Sequence, residues 1–157
     1  MRCTPLIILL GLLSLYSCRA SNHTRSERVL TAADQVEVWL PLVKGKKIAL
    51  VANQTSMVGH IHLVDTMQAL GVNVQCVFAP EHGFRGEAEA GEHVDGGLDK
   101  QTGVKMVSLY GNHLKPTVED LRGIDLVIFD IQDVGARFYT YISTLQYVME
   151  ACATTGV

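Results

Sequence analysis

The chain has 157 residues, with 13 Lys and Arg against 16 Asp and Glu and a formal net charge of −3. That length suits one domain. An apolar share of 48% excludes a disordered chain, and 14 Gly with 4 Pro exclude a collagen-like or low-complexity one. The slightly acidic balance and 6% aromatic content argue against a nucleic-acid binder, which needs a basic stripe or a stacking platform.

Taken in chain order, the first 17 residues read as an export signal. Arg2 supplies a positive start, and the apolar run Leu6 to Leu15 is too short to span a bilayer. It ends in Leu15-Tyr16-Ser17-Cys18, which resembles a bacterial lipobox and makes Cys18 the lipidated first residue of the mature chain. An ordinary secretory signal cleaved nearby is the alternative. Acyl chains at about 0.8 kcal/mol per buried CH₂ would hold such a protein on the membrane. Residues 18–31 are polar and read as a tether, and the domain is expected over 32–157. Four scattered cysteines do not make a disulfide scaffold. Cys76 and Cys152 sit in apolar patterns and are expected as buried free thiols; a disulfide between them is the alternative.

The domain opens with Thr31-x-x-Asp34 ahead of Val36, Trp39, Leu40 and Val43, one helical face that Pro41 shortens or kinks. Four apolar, β-branched runs follow: Lys47–Val51, Val72–Phe78, Val104–Leu109 and Ile124–Phe129. Such runs predict strands buried on both faces. Between them Leu63, Val64, Met67 and Leu70 form a helical face closed by Gly71, and Thr117-x-x-Asp120 opens a shorter helix. Ile142, Leu145, Val148, Met149 and Cys152 make the last face. The alternation predicts an α/β, Rossmann-like, mostly parallel sheet with flanking helices. A helix cap and a new strand are expected at Thr154-Thr155-Gly156-Val157, so the chain reads as a fragment, truncated before the remaining strands and a second domain.

In open α/β sheets the ligand site lies beyond the carboxyl ends of the strands. Those ends are Asn53-Gln54-Thr55-Ser56, Pro80-Glu81-His82-Gly83-Phe84-Arg85-Gly86, Tyr110-Gly111-Asn112-His113 and the run from Asp130 to Tyr141. No phosphate-loop or dinucleotide signature follows the first strand, so no cofactor is expected. His60-x-His62 is at most half a metal site, solvent-exposed histidines being the simpler reading, and no metal is expected. Glu81 leaves an apolar strand between Pro80 and His82, where a carboxyl group can be tuned as a general acid; a loop cap accepting backbone N–H groups is the plain alternative. Asp130 and Asp133 are candidate partner carboxylates, or caps and ion-pair partners of Arg137. His82 can touch substrate or orient Glu81. Tyr139 and Tyr141 can stack on a sugar or simply wall the cleft. Glu87, Glu89 and Glu92 lie in a Gly-rich loop that reads as a solvated segment or a lid.

Ala52-Asn53-Gln54-Thr55, Pro80 to Gly86, Ala90-Gly91-Glu92, Ser108-Leu109-Tyr110-Gly111 and Phe129 to Tyr141 together resemble the bacterial exo-β-N-acetylmuramidase family. The resemblance covers about residues 33–157. It implies a Rossmann-like domain paired with a C-terminal domain, and cleavage of N-acetylmuramic acid from the non-reducing end of peptidoglycan fragments in wall turnover or recycling. The family's P-E-H-G glutamate falls on Glu81. Asn53, His82, Arg85, Tyr110, Gln132, Arg137 and Tyr139 are the candidate substrate contacts, Arg85 and Arg137 being the cations for the lactyl carboxylate. Either arginine can instead make a structural ion pair. Family members are more than twice as long, so the expected activity belongs to the longer parent, an exported, membrane-anchored lipoprotein of the periplasm or cell surface. Its oligomeric state is open. Two rivals stand beside this reading: a non-catalytic lipoprotein that binds wall sugars or a partner, and a metal-dependent deacetylase using His60, His62 and His82.

Overall fold

The structure is a computed structural model that describes residues 29–86 and 96–157. The signal peptide, Cys18, most of the tether and the acidic loop of Glu87, Glu89 and Glu92 lie outside the described residues. Among those described, no helix is long and apolar enough to cross a membrane.

The elements run α1 (Val36–Val43), β1 (Lys47–Ala52), β2 (Met57–Val58), β3 (Ile61–His62), α2 (Leu63–Ala69), β4 (Asn73–Ala79), β5 (Gly97–Leu98), β6 (Lys105–Ser108), β7 (Leu126–Asp130) and α3 (Tyr141–Thr155). The main sheet has the order β5-β6-β4-β1-β7. Its four longer strands are parallel, and β5 adds an antiparallel edge. All four strands expected from the apolar runs are present. The added pieces, β5 and the β2–β3 hairpin, have two residues per strand, too few for alternation to register.

Alternate residues of the strands feed two separate cores. Ile48, Leu50, Ala52, Val77 and Ala79 meet Val43, Leu63, Val64 and Met67 under α1 and α2. Ala49, Val51, Cys76, Phe78 and Val107 meet Leu121, Val148 and Ala151 on the other face, under α3. Strands covered on both sides have no polar face, which is why their sequences read as continuous apolar runs. Each large side chain fully buried here, such as Phe78, Ile48 or Leu50, contributes about 1.5–3 kcal/mol. The partition depends on a bulge in β4: Ile48 pairs with Val74 but Ala49 with Cys76, so Gln75 is an extra residue. It lets Val74 and Val77 face the same core although three positions apart.

The helix signals hold with three corrections, the first being that α1 begins at Val36 with Gln35 as its cap and no side-chain cap bond, Thr31 and Asp34 closing a turn ahead of it. Gly71, at φ 73°, closes α2 as expected: its N–H and that of Val72 bond back to Gln68 and Met67 carbonyls, each at 2.9 Å. The segment after Thr117 is a set of turns and not a helix, although Thr117 and Asp120 do make the reciprocal bonds of a capping box. The buried face of α3 is Tyr141, Thr144, Val148 and Ala151, while Ile142 and Met149 stand 64% and 63% exposed. The buried stripe of the helix is therefore offset from the one expected, with Ile142 and Met149 on its exposed side. Cys76 and Cys152 are free thiols as expected, but only Cys76 is buried, which pushes it up to about 11, while Cys152 is half-buried.

Candidate active site at the strand ends

Glu81 enters the site on a tight turn. Beyond β4 the Gly83 N–H donates to the Pro80 carbonyl at 3.1 Å, and His82 takes φ 73°, a left-handed conformation that costs a side-chain-bearing residue free energy. His82→Gly is expected to raise stability by about 0.5–1 kcal/mol through relief of that strain. The check is a higher urea midpoint at unchanged slope in the full-length protein; a lower midpoint would show that the imidazole packs more usefully than the strain costs.

Three contacts anchor the turn from behind. Phe84 is buried and meets the His62 ring edge-on, with centroids 5.3 Å apart. His62 caps α2: Nδ1 accepts the Val64 N–H at 3.3 Å, so Nε2 carries the hydrogen, 3.0 Å from the Asn53 carbonyl and 3.2 Å from that of Phe84. This buried histidine corrects the expectation that His60 and His62 are both solvent-exposed; only His60 is. The ring knits the ends of β1 and β4 to the start of α2. Arg85 stacks over the Phe84 ring at 4.8 Å and forks onto two carboxylates. Nε and Nη2 hold Asp99 at 2.8 and 2.7 Å, and Nη1 and Nη2 hold Asp65 at 3.1 and 2.8 Å. Hydrogen bonds from Arg85 hold the Asp99 carboxyl far below the usual range.

The neighbouring strand end is equally fixed. Asn53 is fully buried, and its Oδ1 takes both the N–H and the hydroxyl of Thr55, at 2.9 and 2.6 Å. Its amide nitrogen has no hydrogen-bond partner among the described residues. Ser56 donates its hydroxyl to the Asp130 carbonyl, and the Gln132 N–H donates to the Thr55 hydroxyl at 3.0 Å, tying β1 to the exit of β7. The half-buried Asp130 carboxyl is pushed up by burial, against the opposing pull of His62 and Ser56. Asp133 is exposed, and its Oδ1 closes a turn on the Gly135 N–H at 2.6 Å.

Glu81 and His82 share a cavity of about 200 Å³ with Phe138, Tyr139, Thr140 and Tyr141. Tyr139 and Tyr141 lie 6.1 Å apart at a 47° tilt. The chemistry on offer is a carboxyl group and an imidazole facing aromatic rings, in a space suited to one ring-shaped polar ligand. At the exit of β6 the Tyr110 phenol is made harder to ionise, chiefly by the negative charge of Glu81.

Residues 48–157 match the family described as Exo-beta-N-acetylmuramidase NamZ, N-terminal. The chain belongs to this family. Over 170 aligned residues it is 37% identical to the peptidoglycan beta-N-acetylmuramidase NamZ of Bacillus subtilis (strain 168), with all of this chain and 41% of the relative covered. Two solved DUF1343 family proteins of Bacteroides fragilis NCTC 9343 share its fold. One has a TM-score of 0.65 at 41% identity and covers 78% of this chain; the other has 0.67 at 39% and covers 76%. The matched part is 31% and 30% of those two chains. The chain thus spans less than half the length of these NamZ-family relatives.

Within this NamZ-family domain the site residues singled out from sequence divide into groups. Glu81, His82 and Tyr139 line one cavity, and Tyr110, within the electrostatic influence of Glu81, lines a neighbouring one. Asn53, Asp130 and Gln132 form the linked β1–β7 corner. Arg85 is drawn away into the structural alternative, with four contacts to Asp65 and Asp99, while Arg137 stays exposed before the aromatic run. No three of His, Cys, Asp or Glu gather as metal ligands among the described residues. Asp65 and Asp99 have no place in the sequence reading, and His62 enters it only as half of a metal site and not as a buried cap. Histidine is not a usual N-cap residue, so no local pattern marks His62 as the cap of α2, and the Arg85 partners lie 20 and 14 residues away with no pattern to mark them either.

Proposed function

We propose that the protein carrying this chain is a peptidoglycan glycosidase that releases N-acetylmuramic acid from the non-reducing end of wall fragments, in wall turnover or recycling. The observation that carries this reading is Glu81 on an anchored turn inside a small aromatic-lined cavity, in a domain of the NamZ family. Glu81 gives its proton to the glycosidic oxygen, the bond from that oxygen to the sugar's anomeric carbon breaks, and charge builds on the ring as an oxocarbenium-like state. Water then completes the hydrolysis. Asp130, whose carboxyl is already pushed up, or Asp133 takes the water's proton; alternatively the substrate's own 2-acetamido oxygen bonds to the anomeric carbon as the leaving oxygen departs, and water then opens the ring so formed, its proton returning to Glu81. With Arg85 committed to two carboxylates, Arg137 is the cation for the lactyl group. His82, Gln132 and Tyr139 complete the contacts to sugar, while the fully buried Asn53, expected as a contact, instead shapes the β1–β7 corner behind them. Export and a lipid anchor at Cys18 belong to the same proposal, supported by the signal-like first 17 residues. The full-length protein is expected to release chromophore from an aryl N-acetylmuraminide and not from the matching N-acetylglucosaminide. Tight muropeptide binding without product release would overturn hydrolysis.

A further inference from the structure

We infer that a second cavity, along β6 and on the other side of Glu81 from the aromatic segment, binds the leaving sugar, a neutral N-acetylhexosamine on the reducing-end side of the broken bond. The inference deepens the glycosidase reading proposed above and rests on it. It starts from sheet order. The strands run β5-β6-β4-β1-β7, and Glu81 follows β4. The aromatic segment 138–141 that walls the smaller cavity follows β7, to one side of that exit. To the other side, the Leu109 N–H donates to the Ala79 carbonyl at 2.7 Å, one step past the last β4–β6 strand pair, so the two chains leave the sheet side by side. Tyr110, the next residue, lines a cavity of about 700 Å³. Glu81 therefore stands between two spaces, as an acid must that protonates an oxygen shared by two sugars.

The sizes of the two spaces fit a reaction at a chain end. Removing one sugar needs room for a single ring on one side of the acid and for the rest of the fragment on the other, and the cavities of about 200 and 700 Å³ divide in that way. The larger one suits a neutral ligand. Its cation, Lys105, is balanced by the Asp120 carboxylate, so an acidic ligand finds no excess of positive charge there. The exposed Asn112 amide can both donate to and accept from sugar hydroxyls. His113 Nε2 lies 3.2 Å from Asp120 Oδ2 without the alignment of a hydrogen bond, which leaves it able to bond elsewhere. Leu98, 69% exposed, and the half-buried Met106 supply apolar surface for an acetamido methyl group.

The test compares two substrates in the full-length protein: the N-acetylmuramic acid–N-acetylglucosamine disaccharide and an aryl N-acetylmuraminide, which lacks the leaving sugar. Asn112→Ala and His113→Ala are each expected to lower the ratio of kcat/KM on the disaccharide to that on the aryl glycoside by about 3- to 10-fold, the worth of one lost hydrogen bond. Asn112 is exposed, so its replacement leaves the core intact. Free N-acetylglucosamine should inhibit hydrolysis of the aryl glycoside, with an inhibition constant raised by a similar factor in both variants, whereas an acidic stem peptide should not inhibit. Equal losses on both substrates, or an inhibition constant that neither variant moves, would overturn the leaving-sugar site while leaving Glu81 in place. Inhibition by the stem peptide and not by the amino sugar would overturn the choice of occupant. Wild-type turnover of the disaccharide by Glu81→Gln would instead overturn the reading on which the inference rests.

Discussion

Glu81→Gln in the full-length protein is expected to lower kcat on a natural N-acetylmuramic acid–N-acetylglucosamine substrate by about 10²- to 10⁴-fold, the usual worth of a positioned general acid. The amide keeps the shape of the side chain and removes its transferable proton. Glu81 is only partly buried on its turn, so stability should change by less than about 0.5 kcal/mol. The deficit should also depend on the leaving group. A sugar alkoxide is a poor leaving group and needs the proton as the bond breaks, whereas a nitrophenolate leaves with little help. The loss should therefore be far smaller on an aryl glycoside than on the disaccharide. Initial rates on both substrates check this. Equal turnover by wild type and variant on the disaccharide would remove Glu81 from the chemistry, and equal losses on both substrates would point away from proton donation.

Arg85→Ala carries the largest expected effect on stability. The Arg85, Asp65 and Asp99 side chains are 19%, 15% and 5% exposed, so their charges are mostly out of water. Removing the cation leaves two shielded carboxylates facing each other, at a cost of about 2–4 kcal/mol. Thermal unfolding of the full-length protein should show a midpoint lower by roughly 5–15 °C. Arg85→Lys should recover only part of this, since an ammonium group cannot fork onto two carboxylates. The pH dependence has a definite sign. The folded-state pKa of Asp99 lies far below its unfolded value of roughly 3.9, so its stabilisation is complete above that value and is lost as pH falls toward the folded pKa. Arg85→Ala removes the cause of the depression, so acid unfolding curves of variant and wild type should converge as pH drops below about 4. A constant offset down to the lowest pH would mean that the arginine acts by packing on Phe84 and not by charge.

The main strands were legible in the sequence because burial on both faces strips them of polar residues, and the β1–α2–β4 order followed from the helical face between two such runs. The carboxyl-end rule then placed Glu81, His82 and Tyr139 on one edge, where the cavity lies. What failed to read out depends on contacts between distant residues. The apolar residues of α3 fit one helical stripe, yet the buried stripe is Tyr141, Thr144, Val148 and Ala151, of which Val148 and Ala151 join the core of Val51 and Phe78. Arg85 looked equally suited to substrate or to structure, and only the fold brings Asp65 and Asp99 to it. His62 looked like a surface residue because nothing local reveals that two loop carbonyls converge on its ring.

The extra residue in β4 links chain length to the site. Up to Val74 the strand alternates in one phase, and from Cys76 onward in the other. Pro80, Glu81 and His82 follow six residues or fewer after the change of phase, so the residue count from Cys76 to Ala79 decides from which side of the sheet the turn departs. Substitutions at Gln75 keep that count and leave the parity alone. Adding or losing one residue between Gln75 and Ala79 would exchange the two cores' side chains and carry the acid to the wrong side, whereas loss of Gln75 itself only straightens the strand. For this domain, insertions and deletions within β4 are therefore a sharper constraint than the chemical identity of any one strand residue.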